Sequence, residues 1–282
     1  MADFPRVTIE GVSVSRMMVG INWFLGYSHT SKAASNFITH HMTAERIADV
    51  LEVFFDAGVD SLYGVLHDRT KVLEAVKMAE DRTGRRCITL ALPTLDVAGT
   101  PEAADENARL LDKVAATGAT FCLPHQQTTD ALLDRTTRTI RGLDRMLAMI
   151  RERGMIPGLS THTPEAPVYA DETGLDVATY IQIYNALGFL MQVEVDWVQR
   201  VIWNAAKPVI VIKPLAAGRI MPPLVGLAFV WATIRERDLV CVGTKTPDEA
   251  REVIEISRAV LERRVPDLEL QTTRSKNSLK GN

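Results

Sequence analysis

The sequence predicts an α/β fold closed into a single (β/α)8 barrel. Eight short apolar runs, many rich in β-branched residues, alternate with stretches whose apolar residues recur at helical spacing. Such alternation builds a parallel sheet, and eight repeats close it rather than leave it open. With 282 residues and 46% hydrophobic content, the chain is long enough for one barrel of about 250 residues. The expected limits are 1–264 for the barrel and 265–282 for a polar tail without periodicity. All six histidines, His29, His40, His41, His67, His125 and His162, fall between a predicted strand and the next helix. Those connections share the rim of a β/α barrel that carries chemistry, whereas the opposite rim carries stability.

The elements follow in order. Residues 6–9 and 12–16 flank Glu10-Gly11 as a hairpin covering the barrel floor, and the apolar run 17–20 is the first barrel strand. Residues 21–42 make a connection of functional length, read as a mobile lid with an aromatic wall. Thr43 is the N-cap expected for the next helix, whose Ile47, Val50, Leu51 and Phe54 repeat at helical spacing up to Gly58. Further strands are expected at 59–63, 87–92, 120–125, 156–160, 180–184, 209–213 and 239–243. Gly58, Gly84, Gly118 and Gly154 stand between a helical pattern and the next strand, as helix stops. Pro222-Pro223 and Thr246-Pro247-Asp248-Glu249 open the last two helices, with acids where the helix dipole favours them. Trp197, Trp203 and Trp231 lie on helical patterns and are expected to pack in the core.

Composition narrows the function. A net charge of -3 with mixed acids and bases leaves no basic stripe for a phosphate backbone, so nucleic acid is not an expected partner. The longest apolar stretch, 221–234, is too short to span a bilayer and reads as a buried helix, so no membrane partner is expected. The opening Met-Ala-Asp-Phe-Pro-Arg lacks the apolar core of a signal peptide. Three cysteines, an odd number, each sit in an apolar strand-like run as small hydrophobes. The expected setting is the cytoplasm, with a small-molecule substrate and a homo-oligomer left open.

The candidate site gathers at the rim. His125, at the end of strand four, should point into the mouth; His67 and Asp68 follow strand two and His162 follows strand five. One carboxylate and up to three imidazoles suit an acid–base pair or a metal ion, although no tight ligand spacing is present. Lys213 ends strand seven, where burial would make it an anion anchor or a Schiff-base nucleophile. Arg219 and Lys245 lie near helix N-termini on the same rim and would help hold a carboxylate or phosphate. Asn22, Trp23, Tyr27 and His29 open the lid.

Several of these segments resemble the aldo-keto reductase superfamily. Gly11-Val12-Ser13-Val14-Ser15-Arg16 is similar to its entry hairpin, and Gly158-Leu159-Ser160-Thr161-His162-Thr163-Pro164-Glu165 to its fifth strand and loop. Ile181-Gln182-Ile183-Tyr184-Asn185, Lys213-Pro214-Leu215-Ala216-Ala217-Gly218-Arg219 and Val242-Gly243-Thr244-Lys245-Thr246-Pro247 continue the match in order. The resemblance implies a TIM barrel and carbonyl reduction by nicotinamide hydride, with a tetrad of Tyr, Lys, Asp and His. Of these four only the histidine has its counterpart, His125; Tyr63 stands near the aspartate's place, Asp68 in the tyrosine's, and an apolar run near Leu92 in the lysine's. By the same resemblance Ser160 and Gln182 would hold the nicotinamide amide, and Gly218, Gly243, Thr244 and Lys245 the phosphates. Glu249 replaces the arginine that would bind the 2'-phosphate, which favours NAD over NADP.

The leading expectation is therefore a divergent small-molecule enzyme doing acid–base chemistry of isomerase or lyase type around His125. His67, Asp68 or His162 would assist, and Lys213 or Arg219 would hold an anionic or polar substrate. The alternatives are an NAD-dependent carbonyl or alcohol oxidoreductase using Tyr63 as proton donor, and a non-catalytic ligand-binding or subunit barrel.

Overall fold

The computed structural model describes residues 2–270 and 272–279. The chain opens with an antiparallel hairpin, β1 (Arg6–Ile9) and β2 (Val12–Ser15). Glu10 and Gly11 both take positive φ, 44° and 81°, the backbone a two-residue hairpin turn requires. Ile9 and Val14 are buried, and Arg6 pairs with Asp60 at 2.9 Å, just ahead of the second barrel strand. The hairpin thus covers the N-terminal end of the barrel, as expected.

The strands that follow are β3 (Met17–Gly20), β4 (Ser61–Gly64), β5 (Ile88–Ala91) and β6 (Phe121–Cys122). A small outer hairpin, β7 (Leu133–Asp134) and β8 (Thr139–Ile140), precedes β9 (Ile156–Pro157), β10 (Leu159–Ser160), β11 (Tyr180–Ile183), β12 (Val209–Ile212) and β13 (Leu239–Val242). All neighbours in the order β10-β11-β12-β13-β3-β4-β5-β6-β9 are parallel. β9 and β10 are halves of one strand on either side of Gly158, one pairing with β6 and the other with β11, so nine segments make eight strands and the circle closes. A Cβ at Gly158 would stand 2.7 Å from Leu123 Cγ, which is why the seam takes glycine. β11 and β12 are buried along their whole length, matching their unbroken apolar runs.

The helices are α1 (Lys32–His41), α2 (Ala44–Asp56), α3 (Thr70–Thr83), α4 (Pro101–Ala115), α5 (Gln126–Leu132), α6 (Leu143–Glu152), α7 (Glu165–Thr173), α8 (Val195–Asn204), α9 (Pro223–Thr233), α10 (Pro247–Glu262) and α11 (Arg274–Asn277). Thr43 and Thr246 cap α2 and α10 by accepting the backbone N–H of Arg46 and Glu249, each cap contributing about 1 kcal/mol. Gly58, Gly84, Gly118 and Gly154 all have positive φ.

Three expectations are corrected. The connection 21–42 contains α1, so His40 and His41 lie within a helix; the pattern hid it because Ile38 is its one fully buried side chain. Trp197 and Trp203 are 58% and 53% exposed on α8, and only Trp231, on α9, joins the core. Trp203 Nε1 nonetheless donates to the Thr233 carbonyl at 2.7 Å, which ties α8 to α9. The stretch 221–234 forms α9 but is only half covered, since Leu224 and Val225 face outward. Among the described residues no helix is long and apolar enough to cross a membrane.

Candidate active site at the barrel mouth

The C-terminal ends of the strands open on a cavity of about 890 Å³. Tyr63 reaches it from the end of β4, His125 from the residues after β6, His162 from those after β10 and Lys213 from the end of β12. Asn22, Trp23 and His29 line it from the first connection, and Gly218, Gly243, Thr244 and Lys245 from the last two. The fold therefore brings these predicted residues together.

Local structure sets the chemistry of each. His125 is the N-cap of α5: its Nδ1 accepts the Gln127 backbone N–H at 3.3 Å, so the neutral ring carries its proton on Nε2. Burial lowers its pKa, and Lys213 adds to the effect. His162 is pushed down to about 3 by burial, then by Lys213, His125 and His29. Its backbone N–H donates to Asp130 Oδ2 at 3.1 Å, and the Thr161 hydroxyl donates to the same carboxylate, so α5 clamps this loop. Partial burial with Lys213 and Arg219 likewise lowers His29. The Tyr63 phenol is raised well above its usual value by burial, next by Cys241, and partly relieved by hydrogen bonding with Ser160. It remains protonated.

Lys213 is the sharpest feature. Its φ of 59° lies in the left-handed region, as do those of Ala216 and Ala217 in the same connection, 48° and 54°. Such backbone costs on the order of 1 kcal/mol per residue without glycine and clusters at functional sites. The ammonium has no ion pair and no side-chain hydrogen bond among the described residues, and burial lowers its pKa, with Cys241 opposing. Burial pushes the Cys241 thiol itself up to about 12, so it stays neutral beside the amine.

Other predicted residues are not brought in. His67 and Asp68 lie beyond the rim and do not line the cavity; His67 Nε2 stands 3.4 Å from Asp68, which pairs with Lys113 of α4. Val65, which follows the end of β4, still lines the cavity and Leu66 is buried, while the His67 and Asp68 side chains beyond them are 8% and 53% exposed. No three His, Cys, Asp or Glu side chains are grouped as a metal ion requires among the described residues. His40 and His41 engage Asn36 and Arg46. Arg219 acts as a clasp outside the cavity lining: it donates to the His29 carbonyl at 2.9 Å and stacks on Phe189 at 4.0 Å. Ser160 and Gln182 are 2% and 0% exposed and do not line the cavity, and both amide atoms of Gln182 lack a partner.

The chain's own groups fill the suggested phosphate cradle. A Cβ at Gly243 would stand 2.5 Å from Trp23 Cδ1, so the indole rests on that glycine. Lys245 Nζ lies over the same ring at 5.0 Å and 3.4 Å from Glu249 Oε1, while Glu249 Oε2 accepts the Lys245 backbone N–H at 2.7 Å.

Nothing in the pattern marks Arg69, yet it lines the cavity from the N-terminus of α3. Its Nη2 donates to the Tyr27 hydroxyl at 3.3 Å, it makes no ion pair among the described residues, and its buried Nε has no partner.

No protein-family profile matches the chain, and no curated protein matches it in sequence. Solved structures do match. A protein from Pseudomonas aeruginosa assigned to the aldo-keto reductases superposes with a TM-score of 0.63 at 16% identity, over 92% of this chain and 97% of that one. An aldo-keto reductase from Klebsiella pneumoniae, solved with NADPH, gives 0.57 at 16% identity, over 95% and 92%. A phospho-2-dehydro-3-deoxyheptonate aldolase from Thermotoga maritima gives 0.53 at 12% identity, over 93% and 74%. The chain therefore has an aldo-keto-reductase-like barrel; similarity at this level speaks to fold alone.

Proposed function

We propose that the chain is a small-molecule enzyme that performs acid–base chemistry, of isomerase or lyase type, on a carbonyl compound bearing an anionic group. The charge layout of the cavity carries this reading. Arg69 and Lys213 line it without ion pairs, in company with His125, His162 and Tyr63, and its lining carboxylates, Glu249 and Glu252, both belong to α10. The unpaired Arg69 cation in a concave site draws in anions, and its guanidinium fork suits a carboxylate or phosphate. His125, neutral and protonated on Nε2, donates to the carbonyl oxygen, where charge grows as a proton leaves the neighbouring carbon. The protonated Tyr63 phenol is a second donor. Lys213, held below its ordinary pKa by burial, supplies the basic nitrogen.

The test is deuterium exchange. Incubated in D2O with a panel of 2-oxo acids and phosphorylated aldoses and ketoses, the protein should exchange the α-proton of at least one class, and His125→Ala should slow that exchange by about 10²- to 10³-fold. No exchange with any member of the panel contradicts the reading and leaves a binding barrel or a redox enzyme.

A nicotinamide dinucleotide is the second reading, favoured by the cavity's extension to Gly243, Thr244 and the first turns of α10. The residues present do not fit NADP: Glu249 meets the 2'-phosphate with like charge, and Lys245 is already engaged by it. NAD escapes that repulsion but still requires Trp23 to leave Gly243.

A further inference from the structure

We infer that Lys213 is a covalent nucleophile, its amine condensing with the substrate carbonyl to a Schiff base. The inference deepens the acid–base reading and rests on it. A buried lysine that only anchors an anion gains from keeping its charge, and the usual device is a carboxylate or a set of acceptors around the ammonium. Lys213 has neither among the described residues. Its neighbours are the apolar end of β12, the neutral Cys241 thiol, and imidazoles whose own protonation its charge opposes. Burial at the mouth favours the free amine, whose lone pair is the reactive form, and Cys241, which acts the other way, offsets it only in part. The permanent cation needed for an anionic substrate is already present in Arg69, which does not deprotonate. The left-handed backbone at Lys213, with Ala216 and Ala217 behind it, holds the strand end in a conformation a lysine pays to adopt.

The step balances without an external oxidant or reductant. The neutral Nζ attacks the carbonyl carbon and the π pair moves to oxygen, which takes the proton of His125 Nε2 or of the Tyr63 phenol. Nζ gives up a proton that restores that donor, and the carbinolamine then loses hydroxyl as water, with one further proton, leaving a protonated imine on Lys213. The iminium nitrogen accepts the electron pair released when an adjacent C–H or C–C bond breaks; in the first case the proton passes to solvent, since Lys213 is no longer free to act as base, and in the second the carbonyl fragment departs, so one intermediate serves proton exchange and aldol-type cleavage alike. Hydrolysis returns the amine.

The experiment is reductive trapping of the full-length chain. With pyruvate or dihydroxyacetone phosphate and sodium cyanoborohydride, intact mass should rise by one reduced imine, and peptide mapping should locate it at Lys213 ahead of every other lysine. Lys213→Arg, which retains the charge, should lose that adduct. The unaltered protein alone decides the matter should the variant fold poorly. Adducts scattered over surface lysines with none at Lys213 overturn the inference. Absence of any adduct while α-proton exchange continues overturns it and spares the acid–base reading; absence of both removes the two together.

Discussion

Replacing His125 by alanine removes two things whose sizes differ enough to be separated. The first is a helix cap. Nδ1 accepts the Gln127 N–H at 3.3 Å, the long end of the hydrogen-bond range, so the loss belongs at the low end of measured cap effects, about 0.5 kcal/mol. In a chain of this size that lowers Tm by about 1–2 °C. The second is the Nε2–H donor to the cavity. Removing one donor aimed at a developing oxyanion typically costs about 10²- to 10³-fold in turnover, or about 3–4 kcal/mol. His125→Asn should restore the cap, since asparagine is a preferred cap residue, without restoring the donor position. The assays are urea or thermal unfolding for the first effect and α-proton exchange in D2O for the second. The expected result is a small stability loss in alanine, none in asparagine, and a large activity loss in both. Recovery of activity together with stability in His125→Asn would refute the catalytic assignment and reduce His125 to a structural cap.

Three further outcomes are expected. The pKa values of His29, His67, His125 and His162 are lowered on folding from 6.5, so the unfolded chain binds more protons below that pH. Stability should therefore fall as pH drops from about 6.5 toward 5, above the carboxylate range, each imidazole contributing up to about 1.4 kcal/mol per pH unit; urea midpoints that stay level across this window contradict the burial of these rings. Nucleotide titration followed by tryptophan quenching should rank NAD above NADP, and Glu249→Arg should reverse the order; tighter NADP binding by the unaltered chain would show that the Lys245–Glu249 pair opens. Hydrogen exchange in 21–31 should be fast in the free protein and slowed by ligand, because among the described residues only two side-chain hydrogen bonds, Arg219–His29 and Arg69–Tyr27, tie it to the connections after β12 and β4; slow exchange in both states makes it a fixed wall.

The barrel was legible because its signals are local and repeated. β11 and β12 are buried on both faces and read as unbroken apolar runs, and Thr43, Thr246 and Gly84 punctuate their helices in sequence as in structure. α1 was not, since a helix burying one side chain has almost no stripe to read. Trp197 and Trp203 failed for a related reason: periodicity identifies a helix but does not say which of its faces turns inward. At the site, residues ending a strand were placed well, because strand direction alone aims Tyr63 and Lys213 at the mouth. Positions a few residues further depend on how the connection turns. That is why Asp68 ended on Lys113 and Arg69, its neighbour, entered the cavity instead.

One cavity, built by His125, His162, Lys213 and Tyr63, is where the substrate is expected to bind. The six histidines provide internal reporters of it. In a titration with pyruvate or inorganic phosphate followed by NMR of the imidazole Cε1–H signals, His29, His125 and His162 should shift together along one saturable curve, while His40, His41 and His67 stay in place. Lys213→Met should abolish or strongly weaken the shared response. Saturable shifts confined to His40, His41 or His67, or none at any of the six with either probe, would contradict the claim.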